Sequence, residues 1–195
     1  MTGQSAGAPT GVAPRRRLLV RGGLIALAAG LGVPAGCASR GPGAAVPADP
    51  AGDAALLDNV LGLEYEAVAA YASVLGTRLL GPAERGIAEG FAEDHRIHAE
   101  ALVRLVVALG AAPVAAAPAR DYGISAAELA GREGTLRFLL GFEQGLTLAQ
   151  LGLVPALADR RIAKDAAGIM GVEAMHWAAW RQALGESPAP RPVLG

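Results

Sequence analysis

The sequence predicts an all-α fold, a four-helix bundle built from two helical hairpins with a longer crossover between helices two and three. Three observations carry the prediction. Apolar residues recur at steps of three and four along four long stretches, the spacing of one helix face. Those stretches are punctuated by Gly81-Pro82, by Gly110 with Pro113, and by Gly185 with Pro188, which are helix stop signals. Aromatic residues are only 4% of the chain and the middle is rich in Ala and Leu, so the alternation of β-branched and aromatic residues that a sandwich needs is missing.

The first helix is expected over residues 54–80, with an inner stripe of Leu57, Val60, Glu64, Val68, Tyr71 and Leu75. Glu66, roughly 200° round from Glu64, is expected to face solvent. The second helix is expected over 82–109, with Phe91, His95, His98, Leu102, Leu105 and Leu109 inward. Its other face carries Glu93, Arg96, Glu100 and Arg104, a solvated charge ladder. Residues 111–124 are the long connection, and Ser125-Ala126-Ala127-Glu128 fits a capping box that starts a helical turn. The third helix is expected over 133–158, on the stripe Leu136, Leu139, Glu143, Leu146 and Gln150. The fourth is expected over 160–184, on Ile169, Glu173, His176, Trp180 and Leu184. Short turns inside each half and a longer crossover between halves give two antiparallel hairpins. Residues 54–185 thus form the bundle, and 186–195 read as a loose tail.

The chain repeats itself. Leu61-Gly62-Leu63-Glu64 recurs as Leu140-Gly141-Phe142-Glu143, 79 residues on. His95-x-x-His98 recurs as Glu173-x-x-His176, 78 residues on. An Ala/Leu-rich chain produces one four-residue match easily, but two separate features at near-equal offsets point to duplication. Each hairpin then has an acid on its first helix and an i, i+3 pair on its second.

All 3 histidines of the chain fall in those pairs. Glu143 is the only acid between Glu133 and Asp159, and Glu173 the only one between Asp165 and Glu186. Carboxylates are almost never fully buried unless paired, because a bare charge in a dry core costs several kcal/mol. Several of them, gathered with imidazoles at one level of a bundle, offset that cost by sharing a metal. Residues at i and i+3 lie roughly 5–6 Å apart on one helix face, so both reach one ion or two adjacent ones. Carboxylate oxygen and imidazole nitrogen suit iron or manganese, and also zinc. The metal candidates are Glu64, His95, His98, Glu143, Glu173 and His176. The competing reading is a metal-free core, in which each His bonds a carbonyl and each Glu sits at a bundle seam. Tyr71, on the face of Glu64, could hydrogen-bond a metal ligand but is read first as a packing residue, as are Trp177 and Trp180.

The front of the chain reads as an address. Residues 1–48 carry five Arg and no acid, whereas the rest is net −6, so the body has no basic stripe for nucleic acid. Arg15-Arg16-Arg17-Leu18-Leu19-Val20-Arg21 precedes an apolar run from residue 22 to 33. That run is shorter than the roughly 20 residues of a spanning helix. Residues 1–37 therefore read as a signal peptide, and Arg16-Arg17-x-Leu19-Val20-Arg21 resembles the twin-arginine motif. A general secretory signal is the alternative. Cys37, the only cysteine, excludes an internal disulfide and a Cys-based zinc site. Within Val33-Pro34-Ala35-Gly36-Cys37 it resembles a lipoprotein box, with Pro34 where Leu is usual; cleavage after Val46-Pro47-Ala48 is the alternative. Residues 38–53 read as a flexible tether.

Taken together, the body resembles the ferritin-like superfamily, specifically bacterial exported proteins with a ferritin-like domain. That pattern has a Glu on helices one and three and Glu-x-x-His on helices two and four. Glu64 and Glu143 match the lone acids, Glu173 and His176 the helix-four motif, and His98 the helix-two histidine. The departure is His95, where the family has a bridging Glu; Asp94 is off by one step and could lean inward. The resemblance implies a di-iron-type or single-metal protein at the cell envelope that binds or oxidises iron, or handles oxidants, with O₂ or peroxide as oxidant. Its rival is a metal-free envelope module serving as scaffold or interaction surface. The implied partners are the twin-arginine export machinery and, through a lipid on Cys37 alone, the membrane; a homo-oligomer is left open. No phosphate loop, Gly-x-Ser-x-Gly or Cys-x-x-Cys-His is present.

Overall fold

The computed structural model describes residues 48–118, 122–124 and 129–189. The signal peptide with Arg16, Arg17 and Cys37, the tether up to residue 47, the Ser125–Glu128 capping box and the tail from residue 190 lie outside the described residues. Among the described residues the fold is all-α, with α1 Pro50–Leu75, α2 Pro82–Ala108, α3 Gly131–Leu153 and α4 Arg160–Ala183. No described helix is long and apolar enough to cross a membrane.

Helix α1 begins inside the segment expected to be tether. Asp49 caps it by accepting from Gly52 N at 2.9 Å, and Pro50 occupies the first turn, where its missing N–H is no loss. It also ends at Leu75 rather than residue 80. There the Thr77 hydroxyl donates to Val74 O at 2.7 Å, and the Arg85 guanidinium holds Leu75 O at 2.8 Å and Thr77 O at 3.2 Å. These donors satisfy carbonyls that a continuing helix would have used. Gly81 then caps α2, with its N–H donating to the Glu84 carboxylate at 3.0 Å. Helix α3 stops at Leu153 and tightens into a 3₁₀ turn over Val154–Ala156, short of the expected residue 158. Pro155 has no N–H to continue the ladder. Asp159 caps α4 by accepting from Arg161 N at 2.7 Å.

The helices pack chiefly as the hairpins α1–α2 and α3–α4, which join through α1–α3 and α2–α4. Two apolar clusters fill the bundle. One contains Leu57, Leu61, Leu102, Val106, Ile162 and Ile169; the other contains Tyr71, Val74, Leu136, Leu139 and Trp180. Each fully buried Leu among them contributes about 1.5–3 kcal/mol. The expected stripes hold, with small shifts: Val68 is half-buried while Ala67 is fully buried, and Val106 is buried deeper than Leu105 or Leu109. Glu66, expected in solvent, is half-buried, and burial raises its carboxyl above the usual range. Asp53 is buried and accepts from Ala158 N at 2.7 Å and Asp159 N at 2.8 Å, tying the α3–α4 turn to the start of α1. Between the two apolar clusters, at mid-helix, lies a polar layer.

Candidate metal centre

That layer draws side chains from every helix. Glu64 comes from α1, His95 and His98 from α2, Glu143 from α3, and Glu173 and His176 from α4. The 3.6-residue period turns each i, i+3 pair to the same inner face. Glu64, His95, Glu143 and Glu173 are 0% exposed, His176 2% and His98 8%. All six residues expected from the sequence are therefore brought together.

They form two overlapping groups, Glu64, His95, His98 and Glu173, and His95, Glu143, Glu173 and His176. In each, the donor atoms lie within 4.8 Å of one another. His95 and Glu173 belong to both. His95 Nδ1 is 2.9 Å from Glu64 Oε2 and 3.7 Å from Glu173 Oε1, while its Nε2 is 3.2 Å from Glu143 Oε1. Glu173 divides in the same way: Oε1 is 2.7 Å from His98 Nδ1, and Oε2 is 3.4 Å from His176 Nδ1. His176 Nδ1 is also 3.5 Å from Glu143 Oε2.

A buried polar atom without a partner loses about 1–3 kcal/mol of hydration. Among the described residues four such side-chain atoms occur, and three of them are Glu143 Oε2, Glu173 Oε2 and His176 Nδ1. These three face one another in the second group. They are two carboxylate oxygens and an imidazole nitrogen, a donor set suited to a divalent cation, and the arrangement is compatible with metal binding. The fourth is Trp177 Nε1, on a half-buried ring.

Close packing of charges sets the protonation states. Burial raises the Glu64 carboxyl, the His95 hydrogen bond works against this, and the Glu173 charge adds to it; the net shift is upward. Burial would lower His95, but its hydrogen bonds to Glu143 and Glu64 prevail and push it up to about 10. His176 is likewise pushed up, against burial, to about 9 by Glu143 and Glu173. Burial opposes ionisation of Glu173 as well, yet His176, His98 and the charge on His95 hold it well below the usual carboxylate range. Without a metal, protons on the imidazoles balance the carboxylates.

Neighbouring residues fix the side chains of this layer. Tyr71 does more than pack: its hydroxyl donates to Glu143 Oε1 and accepts from Trp180 Nε1 at 2.8 Å. Burial and the Glu143 carboxylate raise the Tyr71 phenol well above its ordinary value, so it stays a donor. Gln150 Nε2 donates to Glu64 Oε1 at 3.4 Å, and Phe91 stacks on His176 with ring centres 3.7 Å apart. Asp94 does lean inward, with Oδ2 3.1 Å from His176 Nε2, on a carboxylate 43% exposed. It orients the imidazole from behind. Sequence reasoning placed Gln150 and Phe91 on inner stripes without giving them these contacts. Their signal was a polar or aromatic residue within one or two turns of a ligand.

The ferritin-like domain family profile matches residues 52–186. A search of curated proteins gives no match. Among solved structures, the chain is similar to the crystal structure of a conserved hypothetical protein, rv2844, from Mycobacterium tuberculosis, with 16% identity over 70% of this chain and 99% of that one and a TM-score of 0.62. That likeness concerns the fold alone. The four-helix architecture, the buried carboxylate and imidazole layer and the family match over most of the chain agree: this protein belongs to the ferritin-like domain family.

Proposed function

We propose that the protein is an exported ferritin-like metal-binding protein, which binds or oxidises iron, or consumes oxidants, at the cell envelope. The observation that carries the metal reading is the convergence of Glu143 Oε2, Glu173 Oε2 and His176 Nδ1, buried and unpartnered, on one point of the core. Glu64, His98, Glu143, Glu173 and His176 are the ligands common to the family pattern, and His95 adds a sixth donor residue. Iron held there would supply one-electron chemistry toward O₂ or peroxide; manganese or zinc suits the same donors. The chain's own part is to keep the ligands dry between two apolar clusters, to hold Glu143 through Tyr71, and to aim His176 through Asp94. Export rests on the resemblance of Arg16-Arg17 to the twin-arginine motif, and a lipid anchor would rest separately on the resemblance of the sequence around Cys37 to a lipoprotein box. Metal analysis of protein purified without chelator, followed by O₂ uptake on adding Fe(II), tests the metal and redox parts. Bound metal with no O₂ or peroxide consumption would leave binding and remove oxidation.

One observation favours a second reading, a metal-free scaffold. His95 bonds Glu64 through one ring nitrogen and Glu143 through the other, which satisfies much of the layer with protein atoms alone. The metal reading gives the other three atoms, Glu143 Oε2, Glu173 Oε2 and His176 Nδ1, a direct partner, whereas without a metal they meet only as an ion pair at 3.4–3.5 Å with no hydrogen bond.

A further inference from the structure

We infer that His95 is a bridging ligand, bound through Nδ1 to an ion in the first group and through Nε2 to an ion in the second. The inference rests on the metal reading above and concerns how many ions are held and how they are linked.

Two features of the site lead to it. First, the two ring nitrogens face different groups: Nδ1 faces Glu64 at 2.9 Å and Glu173 at 3.7 Å, and Nε2 faces Glu143 at 3.2 Å. The ring therefore lies between the two groups with one nitrogen toward each, whereas an ordinary terminal ligand keeps its second nitrogen on a carboxylate, carbonyl or water that holds no ion. Second, the ligands divide evenly. Glu64, Glu173 Oε1, His98 and His95 Nδ1 surround one position, and Glu143, Glu173 Oε2, His176 and His95 Nε2 the other, two oxygens and two nitrogens each. Bound through both nitrogens, the ring gives one lone pair to each ion and releases its protons to solvent.

The bridge sets a distance. Metal–nitrogen bonds of ~2.1 Å on both sides of an imidazole ring put the ions ~6 Å apart, against ~3.5–4 Å in the usual two-metal sites. The test uses the full chain loaded with Zn(II), and in parallel preparations with Fe(II) or Mn(II), with the ions counted per chain by elemental analysis and located by anomalous scattering in crystals. Two ions ~6 Å apart on either side of the His95 ring are expected. His95→Glu should keep two ions and shorten their separation to ~4 Å, and His95→Gln should lower the count from two to one. Two ions within ~4 Å in the parent overturn the bridge. So does a single ion with one His95 nitrogen still on a carboxylate. Both of those results leave the metal reading standing. No bound Zn(II), Fe(II) or Mn(II) in the parent overturns both. The parent crystals decide the matter even if a variant fails to fold.

Discussion

Replacing Tyr71 by Phe removes one oxygen atom from the middle of the bundle, and the structure gives the consequences in order. Tyr71 and Trp180 are both 0% exposed, so no water reaches the gap. Trp180 Nε1–H loses its acceptor at 2.8 Å and becomes a buried donor without a partner, at a cost of about 1–3 kcal/mol. Glu143 Oε1 loses the phenol but keeps His95 Nε2 at 3.2 Å, so its loss is at the lower end for a bond to a charged group, about 1.5 kcal/mol. Ring packing against Phe91 and Trp180 is unchanged in shape. The sum is about 2.5–4.5 kcal/mol, and a domain of this size shifts by about 3–5 °C per kcal/mol, so Tm should fall by roughly 10–15 °C. The assay is urea unfolding of the metal-free protein followed by circular dichroism, with Trp180→Phe and the double variant completing a cycle. Trp180→Phe should cost less in the Tyr71→Phe background than in the parent, with a coupling of about 1–2 kcal/mol. A Tyr71→Phe cost below about 0.5 kcal/mol, or strict additivity, would refute the hydrogen-bonded chain from Trp180 to Glu143.

The remaining predictions concern other parts of the molecule. Asp53→Ala removes the acceptor of two backbone N–H groups at 2.7 and 2.8 Å and should cost about 2–3 kcal/mol in the same unfolding assay, while Asp53→Asn, which keeps one acceptor oxygen, should cost less. The metal-free protein should lose stability with rising pH: His95 stands at about 10 in the fold against an ordinary 6.5, so its contribution is whole below pH 6.5 and is lost as pH climbs through about 10. A urea midpoint that stays flat or rises across that window contradicts the imidazolium between Glu64 and Glu143. Replacing Arg16 and Arg17 together by Lys should hold the precursor in the cytoplasm, as followed by fractionation; undiminished export would mean a general secretory signal. Fatty-acid analogue should label the parent and spare Cys37→Ser, and an unlabelled parent removes the anchor.

The bundle was legible because the apolar period and the Gly-Pro stops are local signals that agree with the packing. The site was legible for a related reason: a Glu or His on an inner stripe, such as Glu64 or His98, conflicts with burial unless something offsets its charge. Helix ends were read less well. Asp49-Pro50 is a cap signal, but it lies in Gly/Pro/Ala-rich sequence that looks like a linker. The early stop at Leu75 depends on Arg85 reaching back across a turn, a contact no periodic pattern contains. The hydrogen-bonding role of Tyr71 ranked second to packing because a phenol on an apolar stripe looks the same whether its oxygen is bonded or merely tolerated. The orientation of His95, with both nitrogens engaged, depends on four helices at once and has no local signature.

Glu173 carries an oxygen in each ligand group, and its substitution tests the metal centre most directly. The measurement is Tm and metal content of the full chain and of Glu173→Ala, each with and without Fe(II), Mn(II) or Zn(II). A ligand that binds only the folded state must stabilise it, by about 2.7 kcal/mol at a hundredfold excess over Kd. The account predicts bound metal and a raised Tm in the parent, both largely lost in Glu173→Ala. A parent that holds no metal, and whose Tm none of the three ions moves, would contradict it.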